Sequence, residues 1–421
     1  MKQKKNLIWK CLAVLPLLGL AACTGNDEPS APPATQQGKA EITLMVDAGV
    51  SETRSKPDDP VEGTDGVLNG KQHVEKVRLY VFEPTGESGK MKCIGIEDES
   101  SWSSLDYAEG YSESNEGKTV AKKYMVETSL SSNTTYTLLA TGYENEEIYS
   151  LGALTAESTV DLDKLISTLK DGKGKTDIQT NEYFTGSLKV TTGGDGQFPE
   201  NTTVEMHRRV AGLSTCFEID EESFTSNDKT PAYVAVMLYT NQKKAVPTLE
   251  QIWQEPDFTD YANAELEDAA GATDETSSKC LMLLNVSQSG NTETSDATQS
   301  AEDEPLLYNQ RNAIYLLPIP APEFAVEKNY TLAVAVYDEN RDVICTKRAA
   351  LAADGNLIFN TSLGTGIVDD ESYYRYPIVA NRFYRFGTKD DPMEIIYDPL
   401  NPFEVIVESA WEGMPELDFT D

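Results

Sequence analysis

Histidine is nearly missing from this chain: His73 and His207 are its two. Imidazole-based catalysis and histidine-rich metal sites have little to draw on. Positive charge is scarce as well. Lysine and arginine number 35 against 70 aspartates and glutamates, a net charge of -35. Such a surface repels phosphates and anionic head groups, so nucleic acid is not expected as a partner. No CxxC pair, Gly-rich phosphate loop, GxSxG elbow, HExxH or EF-hand loop is present. Zinc-ribbon, thioredoxin, nucleotide-binding and common hydrolase chemistries therefore lack their motifs. No catalytic residue, metal or cofactor is assigned, and the chain is not read as an enzyme. Acidic pairs such as Asp98/Glu99, Asp369/Asp370 and Asp390/Asp391 read as solvated loops. A calcium site among them has no ligand spacing to single it out. Heptads and short-period repeats are lacking too, and no second membrane segment follows the leader.

Cysteine is sparse but informative. Cys11 lies in the leader and Cys23 at its end, and Cys93, Cys216, Cys280 and Cys345 remain. In an exported chain four cysteines allow two disulfides, with three connectivities. The strand-like surroundings of Cys93, Cys216 and Cys345 favour free, buried thiols.

What is present begins with that leader. Residues 1–22 run from a basic start through an apolar core too short to read as a span, and end in small residues. The sequence Leu20-Ala21-Ala22-Cys23 resembles the lipobox of bacterial lipoproteins. That resemblance implies cleavage between Ala22 and Cys23 and acylation of Cys23. Each buried CH₂ adds about 0.8 kcal/mol, so several acyl chains give a durable hold on the outer membrane. Thr24 to Glu28 is similar to the acidic export signal of Bacteroidetes surface lipoproteins, and the stretch 23–38 is a proline-containing tether.

The rest reads as mainly β. In Lys39 to Asp47, Ile42, Leu44 and Val46 alternate with polar neighbours, the pattern of a half-buried strand. The polar tract 51–72 follows and carries Arg54. Further strands are expected at 74–82, 90–96, 123–130, 135–143 and 183–190, with a surface loop at 97–118. Thr159 to Lys170 carries Leu162, Leu165, Ile166 and Leu169 at helical spacing, so a helix is expected there. The break 191–199 divides the chain into domains 39–200 and 201–421. The second half opens with one long strand, Thr203 to Ile219, kinked near Gly212. A short helix is expected from Thr248 to Trp253, and strands near 232–239, 312–319, 329–337, 342–349, 378–386 and 402–411. His207-Arg208-Arg209 reads as the polar start of a strand. The late aromatics Tyr373, Tyr374, Tyr376, Phe383, Tyr384 and Phe386 read as core or cross-strand pairs, with a glycan-stacking platform as the alternative.

The order of these pieces resembles the fimbrillins of the Bacteroidetes, subunits of type V pili. The lipobox, the strand at 39–47, Arg54, HVEKVRLYVF at 73–82, TYTLLATGYENEEIYSLGALTA at 135–156, VEMHRRVAGLSTCFEI at 204–219, YYRYPIVANRFYRF at 373–386 and FEVIVESAW at 403–411 carry it. The resemblance implies two transthyretin-like Greek-key β-sandwich domains with a few short helices. It also implies a lipidated precursor at the outer membrane, cut between Arg54 and Ser55 by an arginine-specific protease. The removable first strand, with Ile42, Leu44 and Val46, would leave with the lipid. The C-terminal strand of another copy or another pilus subunit would replace it, the candidate donor here being Phe403, Val405, Val407 and Trp411. The expected product is an extracellular fimbrium serving cell adhesion. Without the cut, Cys23 keeps its lipid and the chain resembles the family's anchor subunits; a tip subunit is a third position. A glycan-binding surface lipoprotein is the rival outside this family.

Overall fold

Alternation of β-branched and polar residues sets most of the architecture, because period-two burial fits a strand with one face on a core. The computed structural model describes residues 38–46, 72–115, 119–152, 154–238, 245–247, 280–286, 307–318, 331–351, 378, 380–381, 383–387, 392–397 and 403–408. The protein is mainly β, with its strands in sheets that pack as sandwiches.

The first part of the chain supplies β1 (Gly38–Val46), β2 (Lys76–Pro84), β3 (Met91–Ile96), β4 (Ser100–Ser101), β5 (Val120–Leu130), β6 (Thr135–Tyr143), β7 (Tyr149–Ser150), β8 (Thr159–Val160), β9 (Ile166–Leu169), β10 (Tyr183–Thr191) and β11 (Thr203–Arg208). Its main sheet runs β5-β1-β11-β10-β6-β2-β3-β8, with β4 on β2. Inward residues of β1, β2, β5, β6, β10 and β11 meet in one apolar core, so the two ends of this path face each other across it. The second part supplies β12 (Ala211–Ile219), β13 (Tyr233–Leu238), β14 (Ala245–Pro247), β15 (Cys280–Asn285), β16 (Leu307–Leu316), β17 (Leu332–Tyr337), β18 (Val343–Leu351), β19 (Phe383–Phe386), β20 (Met393–Ile395) and β21 (Phe403–Glu408). Here the order is β15-β13-β17-β18-β21-β19-β12-β16, with β20 on β12.

Two expectations fail. The helix over 159–170 is instead β8, a 3₁₀ turn at Leu162–Lys164, and β9. Leu162 and Leu169 are buried, but Ile166 is 47% exposed, so the helical spacing marks no common face. β-branched Thr159, Val160, Ile166 and Thr168 favour extended backbone, and β9 finds ladder partners in β7 and β14. The helices of the described residues, α1 (Lys175–Gln179) and α2 (Glu221–Thr225), lie elsewhere. The single strand expected over 203–219 is two strands in different sheets, β11 in the first and β12 in the second. The helix expected at 248–253 lies outside the described residues.

The loop 97–118 does more than cover surface. It brings Trp102 into the first core and places Tyr107 over the Lys122 ammonium, 4.5 Å from the ring centre. The two halves meet at a third apolar cluster that includes Tyr149, Tyr183, Val210 and Tyr315. Tyr149 stacks on Tyr183 at 4.8 Å. From α1, Lys175 Nζ donates to the Cys280 carbonyl at 2.7 Å and Gln179 Nε2 to that of Leu281 at 2.9 Å. These bonds cap carbonyls on the edge strand β15, the kind of group that otherwise invites a foreign strand. Cys93, Cys216, Cys280 and Cys345 are all buried, free thiols, as the strand setting of Cys93, Cys216 and Cys345 implies. Among the described residues, no helix is long and apolar enough to cross a membrane.

Candidate strand-exchange site

β1 is an interior strand. It pairs antiparallel with β5, Ile42 opposite Tyr124 and Leu44 opposite Lys122. On its other side it pairs parallel with β11, Leu44 opposite Val204 and Val46 opposite Met206. From Thr43 to Val46 it is paired on both flanks. Ala40, Ile42, Leu44 and Val46 are all fully or almost fully buried in the first core. The outer face is polar: Glu41 meets Lys123 at 3.2 Å, and Lys39 pairs with Glu127. At about 1.5–3 kcal/mol for each buried branched side chain, losing β1 exposes apolar surface worth several kcal/mol. That is a large share of the roughly 5–15 kcal/mol that holds a domain together. The seat between β5 and β11 is thus a slot that needs an occupant.

Its wall on the β5 side carries Lys122, wholly buried, whose ammonium donates to the Trp102 carbonyl at 3.0 Å and sits over the Trp102 ring. Its wall on the other side is β11, and at the end of β11 lies a buried polar network. Arg208 Nε donates to Glu182 Oε1 at 2.5 Å, and Arg208 Nη1 to Asn381 Oδ1 at 3.2 Å. Glu182 Oε2 accepts the His73 backbone N–H at 2.6 Å, and Glu144 accepts the Glu182 N–H at 2.9 Å. His73 Nδ1 lies 3.3 Å from Glu182 Oε2 without hydrogen-bond alignment. Arg209 Nε donates to Thr185 Oγ1 at 2.6 Å.

Burial opposes the charge on Glu182, yet the Arg208 guanidinium and His73 hold its carboxyl below the usual range. Burial pushes Glu144 up to about 7, and the neighbouring Glu182 carboxylate adds to this. For His73, burial pulls down, but the Glu182 and Glu144 carboxylates outweigh it and the imidazole stays raised. His73, Glu144 and Glu182 bring one donor atom each within 4.8 Å of one another, and they are the group among the described residues that could hold a metal ion. Arg208 already sits on Glu182 and supplies positive charge from within, so we read the group as an ion-pair network.

The remaining residues singled out in the sequence fall as follows. Ile42, Leu44 and Val46 fill the slot, with their side chains buried in the first core. The backbone of Phe403, Val405 and Val407 forms β21, which pairs parallel with β18 from Phe403 to Val405 and antiparallel with β19 from Ile406 to Glu408. Ala22, Cys23, Arg54, Ser55 and Trp411 lie outside the described residues, as do Tyr373, Tyr374 and Tyr376. Tyr384 and Phe386 are wholly buried in the second core, which removes them from any stacking platform. Arg208 and Arg209, read as the polar start of a strand, are interior side chains, 1% and 3% exposed. Two consecutive arginines gave no hint of burial; their carboxylate and hydroxyl partners stand more than twenty residues away.

Residues 62–236 match the family model described as fimbrillin-A associated anchor proteins Mfa1 and Mfa2. No curated protein matches the chain. Among solved structures, a proposed adhesin from Bacteroides ovatus is 11% identical at a TM-score of 0.40, over 84% of this chain and 91% of that one. A fimbrial assembly protein from Parabacteroides distasonis is 11% identical at 0.36, over 88% and 96%. The fimbrial anchor protein Mfa2 from Porphyromonas gingivalis is 11% identical at 0.33, over 82% and 90%. These likenesses are too distant to carry an argument of their own. The matched segment spans the first sheet from β2 onward and the opening of the second, and over it the chain is similar to the fimbrillin-associated anchor family.

Proposed function

We propose that this protein is a structural subunit of an adhesive pilus, exported as a lipoprotein and joined to its neighbours by exchange of β1 for another subunit's C-terminal strand. The observation that carries the reading is the interior seat of β1 between β5 and β11. β1 is separated from β2 by the long 51–72 tract and not by a tight turn, so a cut there would break its covalent tie to the rest of the sheet. Cleavage between Arg54 and Ser55 would free it together with the acyl chains on Cys23. The vacated slot would then offer backbone donors and acceptors on both walls and pockets at alternate positions, the requirements of β-augmentation. A strand such as Phe403 to Glu408, with Phe403, Val405 and Val407 on one face, has the alternation to fill them.

A second reading is favoured by the matched family model, whose description names anchor proteins. In it Arg54 stays uncut, Cys23 keeps its lipid, and the subunit sits at the pilus base in the outer membrane. The N-terminal residue of the protein in sheared surface filaments separates the two. Ser55 supports the cut, polymerising subunit; a blocked, lipid-bearing Cys23 supports the anchor. Presence of the protein only as a monomer, with affinity for polysaccharide, would overturn both.

A further inference from the structure

We propose that the Arg208–Glu182 pair is a clamp that holds β11 in register while β1 is absent, keeping the slot open to an incoming strand. The proposal rests on the strand-exchange reading above. β11 has unequal neighbours. β1 pairs with it from Thr203 to Met206, whereas β10 pairs with it only at His207 and Arg208. Beyond that point β10 pairs with β6 alone, although it passes close to β11: a Cβ placed on Gly186 would lie 1.7 Å from the Glu205 carbonyl oxygen. When β1 leaves, Thr203 to Met206 therefore lose their ladder partner, and the segment is fixed at its Arg208 end.

That end is tied to several segments at once. Glu182, at the start of β10, takes the guanidinium on one oxygen and the backbone of His73, where the chain resumes after the 51–72 tract, on the other. Asn381, from the second half, takes a further guanidinium N–H. The guanidinium also lies 5.2 Å from the centre of the Phe184 ring, and the Arg209 N–H donates to the Tyr183 carbonyl at 2.7 Å. A buried ion pair gives little net stability over apolar side chains of the same size, but it does fix one geometry. Placed at the root of β11, that geometry holds the wall of the slot that β11 forms.

The test uses the full chain, nicked within residues 51–72 so that β1 stays seated without a covalent tie. A labelled synthetic peptide of residues 38–47 is added, and its uptake is followed alongside amide exchange of β11. Single removal of either partner strands a buried charge, so the informative variant is Glu182→Leu with Arg208→Met. With β1 seated, its β11 amides should be protected as in the wild type. Its uptake of the peptide should be slower, on the order of tenfold. Wild-type uptake by the double variant, or β11 already open in it with β1 seated, would overturn the clamp. No uptake by the wild-type chain would overturn strand exchange itself, and the clamp with it.

Discussion

Arg208 and Glu182 are charged side chains in the interior of the protein. Each is buried and each has the other as its nearest countercharge. Glu182→Gln leaves the guanidinium in the interior without that charge and should cost about 3–5 kcal/mol, read as a lower midpoint in urea. Gly186→Ala drives a methyl group into the backbone of Glu205, which cannot rotate aside, and should cost about 3 kcal/mol in the same assay. The His73–Glu144–Glu182 group makes stability depend on pH. Glu144, faced by Glu182, His73 and Glu75, binds its proton more tightly when folded, so stability falls as pH rises from its unfolded value of about 4.5 to about 7. His73, faced by Glu182, Glu144 and Arg208, is also raised, and its contribution is lost as pH rises past 6.5. Glu182, lowered, works oppositely and fails only in acid. Thermal midpoints should therefore be higher near pH 5 than near pH 8, and Glu144→Gln should flatten the difference. None of this was legible in the sequence, because a buried pair is recognised by its partner and the partner is set by sheet order.

At the scale of elements the strands were far more legible. Thr135 to Tyr143 is bounded as read, and the alternation of Ile42, Leu44 and Val46 marks the buried face of β1. Period-two burial is a local signal, and both strands sit with one face on the first core. The misread helix at 159–170 shows the opposite case: a short leucine pattern is overridden by ladder partners, one of them β14, distant in the chain. The buried face of β1 yields a graded expectation. Leu44→Ala should destabilise the chain by about 2–5 kcal/mol and hasten loss of a nicked β1. Glu41→Gln, on the exposed face beside Lys123, should change stability by less than about 1 kcal/mol. Equal effects from the two would contradict the facing described here.

For the whole molecule, charge and topology set the terms of association. Two copies with a net charge of -35 repel each other beyond the immediate contact. Salt at about 0.15 M screens charges over roughly 8 Å, so multimer formation by nicked protein should quicken as salt is raised, followed by light scattering. Charge was read directly from composition; the passage of the chain from the first sheet to the second at Arg209 and Val210 was not, since β11 and β12 form one unbroken strand-like run in the sequence. The home seat of β21 bears on what such association gains. Among the described residues none of β21 is bonded in register on both flanks, for β18 serves its first half and β19 its second. In the cleft that β1 occupies, Thr43 through Val46 have a neighbour on either side. A tail moving from its own sheet to that cleft in a sister chain would exchange single-sided for double-sided pairing. Once β1 has left, that gain in pairing would favour the link between subunits.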